Sequence, residues 1–168
     1  RIVCNELGIS NFDFYQKIAS FKGASNRLEL IKKTKNSAIY KDFAHSPSKL
    51  KATSSAMKKQ FSNRKLVACI ELHTFSSLNK EFLIQYEGSM NEPDTAIVYF
   101  NPEAVEHKKI NSITKEQVHN AFGRKDLKVF TNSTELEQYL ITLDWESQNL
   151  LMMSSGNFNN IKLYNLIK

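Results

Sequence analysis

The chain has 168 residues, which suits one domain of about 100–200 residues, or one domain with an attached element. Hydrophobic residues make up 41% and charged residues 24%, as in ordinary globular proteins, and no run of about 18 apolar residues predicts a membrane span. The net charge of +6 comes from lysines spread along the chain, which favours a solvated basic surface or an anionic small-molecule substrate over a nucleic-acid-binding module.

The first predicted elements are one helix and two strands. Residues 10–21 form an amphipathic pattern with Ser10 as N-cap, and Gly23 is placed to end that helix. Two short extended runs follow, RLELIKK at 27–33 and SAIYKDF at 37–43. Because only TKN separates them, they predict a hairpin or tight reversal.

A helix is predicted to begin at Ser46 and Pro47, with serine as N-cap and proline where its missing N–H costs nothing. From there, short apolar strands alternate with helices. The predicted strands are KLVACIEL (65–72), DTAIVYF (94–100), LKVFT (127–131) and NLLMMSS (149–155). The helices predicted to follow them are SLNKEFLIQY, TKEQVHNAF, STELEQYLITL and NNIKLYNLIK.

This alternation is typical of parallel βαβ units whose sheet is buried on both faces. It predicts an α/β fold, a Rossmann-like three-layer domain with helices on both faces of the sheet. The sheet would have about six strands, mostly parallel, with RLELI as one antiparallel edge strand. Capping boxes at Thr114/Gln117 and Thr134/Glu137 indicate where two of the helices begin.

Ligands of such sheets bind beyond the carboxyl ends of the strands, which selects four turns. These turns are DFAHSP, ELHTFSS, NPEAVEH and SSGNFNN. Three of the four histidines fall in them, His45, His73 and His107, whereas His119 lies on a predicted helix. His107 precedes two lysines, so we expect it in a solvated basic loop.

The polar residues of these turns each have a functional and a structural interpretation. Asp42 could bond ribose hydroxyls or help to position Mg²⁺, or it could bond turn amides ahead of the helix. His45 could contact a base or phosphate, or act as a structural donor. His73, with Thr74 and Ser77, could bind an anion at a helix N-terminus, or these residues could make only turn and capping hydrogen bonds.

The last turn, SSGNFNN, contains Gly156 where the backbone must turn sharply and approach another group closely. Exposed amides and asparagine side chains around it could bind a ligand. The alternative is a plain connection from a strand to a helix.

Several common motifs are missing. No GxxxxGK[ST], GxGxxG, GxSxG or HExxH occurs, so the chain is not expected to be a self-contained catalyst. Cys4 and Cys69 lack CxxC spacing, which predicts neither a disulfide framework nor a zinc site. The opening RIVCNELGIS has no signal-peptide pattern, and Arg in place of Met indicates a piece of a longer chain. From the two cysteines without a pairing motif, we expect a reduced, cytoplasmic protein.

Two segments resemble the junction between the central and C-terminal domains of Mur ligases, the ATP-dependent amino-acid and peptide ligases of peptidoglycan synthesis. Gly23, Arg27 and Glu29 match the family element G-x-x-x-R-x-E, and DFAHSP matches D-[YF]-[AG]-H-x-P. Further along, CIELHTFSSL and LLMMSSGNF resemble the murein peptide ligase branch. That branch joins the recycled tripeptide L-Ala-γ-D-Glu-meso-diaminopimelate to UDP-N-acetylmuramate through an acyl phosphate.

The resemblance implies that residues 1–22 are the C-terminal helix of the central ATPase domain. Residues 23–168 would be the C-terminal, amine-substrate-binding domain. ATP and Mg²⁺ would be bound mostly by the central domain, so this part alone would be inactive and would contain no catalytic residue. The expected substrates are UDP-N-acetylmuramate and the tripeptide, with neither nucleic acid nor a membrane as partner. The alternative is a UDP-N-acetylmuramate–L-alanine ligase or another amino-acid-adding member.

The resemblance also implies roles for single residues. Arg27 would reach the ATP phosphates, Asp42 the ribose or phosphate region, and His45 would line the same junction. The arginine that the family often has after the third strand is absent here, where Glu71-Leu72-His73-Thr74-Phe75 stands. The expected substrate-binding residues are His73, Thr74, Ser77, Ser155, Asn157 and Phe158.

Overall fold

Six strands form one sheet in a computed structural model that describes residues 1–21, 26–103 and 113–167. The strands are β1 (Glu29–Lys33), β2 (Ala38–Asp42), β3 (Lys65–Glu71), β4 (Thr95–Tyr99), β5 (Lys128–Phe130) and β6 (Gln148–Met153). Their order is β1-β2-β6-β3-β4-β5, and only the β1–β2 pair is antiparallel. The predicted α/β fold with an antiparallel edge strand is therefore confirmed.

Six α-helices lie within the described ranges, together with three short 3₁₀ turns. The helices are α1 (Ile2–Glu6), α2 (Asn11–Ile18), α3 (Pro47–Gln60), α4 (Lys80–Leu83), α5 (Lys115–Phe122) and α6 (Ser133–Thr142). The 3₁₀ turns are Ile84–Tyr86, Phe158–Asn160 and Leu163–Asn165. Within the described part of the chain, no helix is long and apolar enough to cross a membrane.

Both faces of the sheet bury hydrophobic side chains, because successive residues of a strand point to opposite faces. On one face, Leu66, Ala68 and Ile70 of β3 belong to a core that includes α3 and α5. On the other face, Val67 and Cys69 belong to a core that includes α6 and the C-terminal turns. Helices cover both faces of the sheet, so the ends of the strands are the part of the sheet that a ligand can reach.

Two of the predicted helix starts are made by the expected side chains. Ser10 Oγ accepts a hydrogen bond from Asp13 N–H at 3.1 Å, which begins α2. The capping box of Thr114 and Gln117 forms at the start of α5. Gly23, which was predicted to end the first helix, lies outside the described residues, as does His107.

The capping box predicted for α6 is wrong. Asn132 is the N-cap, and its Oδ1 accepts hydrogen bonds from Thr134 N–H at 2.8 Å and Glu135 N–H at 3.1 Å. Since Asn132 comes earlier in the chain and satisfies two free amides, the helix has begun before Thr134 can cap it. Thr134 and Glu137 are therefore inside the helix.

The helix predicted for NNIKLYNLIK is also wrong in its described part. Phe158, Asn159 and Asn160 have φ values of 53°, 53° and 65°. Three successive left-handed residues cannot belong to a right-handed α-helix. The segment instead forms two 3₁₀ turns, Phe158–Asn160 and Leu163–Asn165.

Asp94, which precedes β4, connects β4 to β3 and α3. Its Oδ2 accepts hydrogen bonds from Leu66 N–H and Lys58 Nζ, both at 2.7 Å. Partial burial by itself raises the pKa of Asp94, but the bonds from Lys58 and Leu66 outweigh it and hold the pKa below its usual value. The carboxylate is therefore more stable in the folded chain than in the unfolded one.

Replacing Asp94 by asparagine should make stability less dependent on acid pH. A lowered folded-state pKa stabilises the fold above the unfolded pKa of about 4, and this contribution is lost as the pH falls through the folded value. The effect should stay below about 1 kcal/mol, because the Lys58–Asp94 pair is partly exposed. Urea unfolding of wild type and variant at pH 7 and pH 3 measures it. An equal difference at both pH values would contradict the prediction.

Candidate functional site

Asp42 fixes the carboxyl end of β2. Its Oδ2 accepts a hydrogen bond from Leu28 N–H and its Oδ1 one from Ala44 N–H, both at 2.8 Å. The Asp42 carbonyl accepts another from Ser154 N–H at 3.0 Å, which ties the end of β2 to the turn after β6. Asp42 thus makes the turn hydrogen bonds of its structural interpretation, and its contact with ATP stays a prediction.

The backbone around Arg27 has an unusual conformation that hydrogen bonds hold in place, whereas the Arg27 side chain has no bonding partner among the described residues. Its neighbours Asn26 and Leu28 have left-handed φ values of 56° and 46°, which are strained for residues other than glycine. The N–H of Asn26 donates to Glu29 Oε2 at 2.8 Å, and that of Leu28 donates to Asp42. Arg27 itself is exposed and makes no hydrogen bond or ion pair with the described residues. The backbone is fixed while the guanidinium is open to a ligand.

His45 lies half-buried at the same junction. Its Nδ1 is 2.8 Å from the Phe43 carbonyl oxygen, which can only accept, so Nδ1 carries the proton. The Phe43 ring contacts the imidazole edge to face, and Tyr86 Oη donates to the His45 carbonyl at 2.7 Å. Burial raises the pKa of Tyr86 to about 12, which keeps its hydroxyl a donor. In the neutral ring, Nε2 is left as an acceptor.

The hydroxyls after β3 bond mainly to one another. Thr74 Oγ1 lies 2.9 Å from Ser77 Oγ and accepts from Ser77 N–H at 3.1 Å, and Ser77 Oγ donates to the Thr74 carbonyl at 3.0 Å. The next helix, α4, begins only at Lys80 with Asn79 as its N-cap. The predicted helix start directly after this turn is therefore wrong, and Thr74 and Ser77 make turn hydrogen bonds.

Glu71, the last residue of β3, is a buried carboxylate to which the sequence analysis gave no role. Its side chain is 5% exposed. Oε2 accepts hydrogen bonds from Ser154 Oγ and from Phe158 N–H, the latter at 2.9 Å. Oε1 lies 3.9 Å from His73 Nδ1. The sequence could have indicated this residue only through its position, because Glu71 is a charged residue directly after the apolar run LVACI at 66–70.

The close approach predicted at Gly156 is confirmed, and the groups approached are Glu71 and His73. A Cβ atom on Gly156 would lie 2.7 Å from Glu71 Oε2 and 2.9 Å from His73 Cγ. The N–H of Gly156 donates to Ser154 Oγ at 2.6 Å. Since its φ is not left-handed, Gly156 is required by the contact and not by its backbone conformation.

The other three predicted substrate-binding residues of the turn SSGNFNN differ in how far solvent or a ligand can reach their side chains. Phe158 is 1% exposed and its ring stacks on Tyr99. The Oγ of Ser155 is buried and has no hydrogen-bond partner among the residues described. Asn157 is exposed, and its Oδ1 accepts from Asn159 N–H at 3.1 Å. Of these three side chains, that of Asn157 can reach a ligand.

Together these contacts join the carboxyl ends of three adjacent strands, β2, β6 and β3. Asp42 and Glu71 both bond to Ser154, which lies between them after the central strand β6. Three further predicted site residues lie at the same ends of the strands: Arg27, His45 and His73. Within the described ranges, no group of three or more His, Cys, Asp or Glu side chains could hold a metal ion. These residues therefore do not by themselves fit Mg²⁺.

Replacing Gly156 by alanine should destabilise the fold by about 1–3 kcal/mol, because the added methyl group overlaps Glu71 and His73. Urea unfolding of the chain measures the loss. Ser155→Ala is the control variant at the neighbouring position. It removes a hydroxyl that has no hydrogen-bond partner among the described residues, so it should change stability by no more than about 0.5 kcal/mol. Equal stability of the Gly156 variant and wild type would show that the contact is not tight.

Comparison with curated proteins gives a relative along nearly the whole chain. The UDP-N-acetylmuramate–L-alanine ligase of Caldicellulosiruptor bescii is 34% identical over 159 residues, 94% of this chain and 34% of the relative. The chain thus spans about a third of the length of the curated relatives that it matches. No protein-family model matches it.

Two solved structures show the same fold. The UDP-N-acetylmuramate-alanine ligase of Thermotoga maritima matches 94% of this chain and 33% of its own, with a TM-score of 0.72 and 15% identity. A murein peptide ligase from Psychrobacter arcticus matches 98% of this chain and 35% of its own, with a TM-score of 0.66 and 22% identity. The fold is that of the C-terminal domain of these ligases.

Proposed function

From a fold and a sequence that both match Mur ligase C-terminal domains, we propose that the chain is the amine-substrate-binding domain of an amino-acid-adding Mur ligase. The observation that carries the proposal is the 34% identity to an alanine ligase along 94% of the chain. The full-length enzyme would use ATP to form an acyl phosphate on UDP-N-acetylmuramate, and the amine would then attack it. Such substrates place the enzyme in the cytoplasm.

Alanine is the better supported amine substrate. The curated relatives compared are UDP-N-acetylmuramate–L-alanine ligases. The tripeptide expected from the resemblance has only structural neighbours at 22% and 21% identity, which show a shared fold. We therefore prefer the alternative named in the sequence analysis, and keep the tripeptide as the second candidate because of CIELHTFSSL and LLMMSSGNF.

Residues 1–22 would belong to the central ATPase domain, and residues 23–168 to the C-terminal domain. Helices α1 and α2 support this division, because they bury none of their side chains. Large apolar side chains are exposed along them, as expected of a surface that packs against further chain. These exposed residues are Ile2, Val3, Leu7, Ile9, Phe12, Tyr15, Ile18 and Phe21.

Arg27, Asp42 and His45 would form one half of the nucleotide site, and the central domain the other. The unpaired guanidinium of Arg27, on a backbone held from both sides, suits phosphate oxygens, which it can bind with two parallel hydrogen bonds. Asp42 would contribute mainly by holding the backbone on both sides of the junction. Closure of the domains would bring Arg27 to the phosphates and exclude water, which strengthens its electrostatic effect.

A side-by-side assay of the full-length protein tests the proposal. With ATP and UDP-N-acetylmuramate present, we expect release of ADP and phosphate when L-alanine is added, with mass spectrometry showing the joined product. Faster ligation of the tripeptide than of alanine would favour the second candidate. Absence of ligation with either amine would contradict the proposed function.

A further inference from the structure

The buried carboxylate of Glu71 has a hydrogen-bonding arrangement that leaves one oxygen to face His73. Oε2 is engaged by Ser154 Oγ and Phe158 N–H, whereas Oε1 lies 3.9 Å from His73 Nδ1. Among the close acid–base contacts of the described residues, Glu71 has His73 as its partner, and that ring is charged only if it is protonated on both nitrogens. A buried carboxylate is costly unless it is hydrogen-bonded and paired, so this geometry favours a proton on Nδ1.

Two other titratable groups lie close enough to Glu71 for its charge to affect their pKa, but neither exchanges a proton at neutral pH. They are Cys69 on β3 and Tyr99 on β4. Burial raises the pKa of both, with the charge of Glu71 as a smaller cause in the same direction. Both therefore stay neutral at neutral pH, and His73 is the group whose proton Glu71 can control.

Gly156 and Glu71 cover one edge of the imidazole and leave the other accessible. The Gly156 backbone packs against His73 Cγ and Nδ1, while the His73 side chain as a whole is 41% exposed. His73 Nε2 has no hydrogen bond to any residue in the described ranges. When Nδ1 carries the proton, Nε2 of the neutral ring is an acceptor, as in other carboxylate-oriented histidines.

We propose that Glu71 and His73 form a proton-accepting pair for the amine substrate, an inference that rests on the proposed function. Nε2 of His73 accepts a proton from the substrate ammonium group, so an N–H bond breaks and an Nε2–H bond forms. The freed electron pair attacks the acyl phosphate carbon, and the C–O bond to the phosphate breaks. The departing phosphate takes the second amine proton, and the imidazolium later returns its proton to solvent. His73 is the catalytic residue and Glu71 the residue that positions it. The 3.9 Å separation would shorten on substrate binding, as it often does for catalytic hydrogen bonds.

The strained turn after β6 agrees with this role for Glu71. Phe158 has a left-handed φ of 53°, and its N–H is bonded to Glu71. Strained backbone persists only where surrounding contacts impose it, and it is concentrated at functional sites. One carboxylate thus bonds the turn that covers His73 and lies beside the ring.

His73→Gln in the full-length protein tests the catalytic role. We expect kcat for alanine ligation at pH 7 to fall about 100-fold, the effect of losing a general base. The deficit should shrink as the pH is raised, since more of the amine is then unprotonated. His119→Gln is the matched control because His119 lies on α5, and it should keep its activity.

Hydroxylamine separates this inference from the proposed function. It is unprotonated at neutral pH and traps acyl phosphates as hydroxamates without needing a base. Wild type and His73→Gln should form hydroxamate at the same rate, which would also show that the variant is folded. If wild type neither forms hydroxamate nor joins either amine substrate, both proposals are overturned. If wild type does either, and His73→Gln joins alanine at the wild-type rate, only the proton-accepting pair is overturned.

Glu71→Gln tests the positioning role, because glutamine can still accept from Phe158 N–H. ¹⁵N NMR of the labelled full-length protein, with the His73 ring signals assigned by their loss in His73→Gln, reports which ring nitrogen carries the proton. In the neutral ring of the Glu71 variant, the proton should no longer be held on Nδ1. Alanine ligation should slow while hydroxamate formation is unchanged. A His73 ring with the same protonated nitrogen in the Glu71 variant as in wild type would overturn the role of Glu71.

Discussion

An Arg27→Ala variant of the full-length protein is expected to join its amine substrate at about one hundredth of the wild-type rate, the usual effect of removing one pre-organised charge-stabilising donor. The reason is that Arg27 is exposed and unpaired within the described chain, while carboxylates hold the backbone on both sides of it. Initial rates of ADP release and product formation measure the loss. Arg27→Lys should recover part of the activity, because it restores the charge but not the planar donor pair.

Lys33→Ala is the control for charge. Lys33 is also an exposed cation, but it lies at the other end of β1, opposite Ala38 at the start of β2. Its removal should change the rate by less than about twofold, because an exposed charge far from the site acts weakly through salt solution. If both variants lost activity equally, the loss would reflect net charge and Arg27 would have no specific role.

A Leu150→Ala variant is expected to lose about 2–5 kcal/mol of unfolding free energy, the usual cost of a cavity in a close-packed core. Leu150 is fully buried on β6, the strand that pairs with β2 on one side and β3 on the other. Its neighbours in those strands are Ile39 and Val67. Urea unfolding monitored by circular dichroism gives the difference in free energy.

Leu30→Ala is the matched substitution on an exposed strand position. Leu30 lies on the edge strand β1 and is 48% exposed, so its truncation should cost less than about 1 kcal/mol. A cost below about 1 kcal/mol for Leu150 as well would mean that the core around β6 can close over the missing atoms.

The strands were predictable because each is a short run of apolar residues between turn-forming residues. KLVACIEL and NLLMMSS both became buried strands, at Lys65–Glu71 and Gln148–Met153. Helix starts were predictable only where one capping residue was available. Two residues could have capped α6, Asn132 and Thr134. Asn132 is the cap because its side chain accepts from the amides that the first turn leaves free.

The candidate site was predictable as a set of turns but not as a set of contacts. Gly156 was expected to approach another group closely, and the structure identifies that group as Glu71 with His73. No pattern in the sequence connects Glu71 to Phe158, because 87 residues separate them. The roles of the predicted site residues toward ATP and the amine stay predictions.

The sequence by itself determined the class of fold, the antiparallel edge and the end of the sheet at which polar residues collect, because these depend on local periodicity and on strand direction. Only the tertiary structure decided which turns meet. The insertion of β6 between β2 and β3 brings Ser154 and Gly156 against Asp42, Glu71 and His73. Strand order follows from how whole strands and helices pack, so a buried carboxylate beside a histidine could be found only in the folded chain.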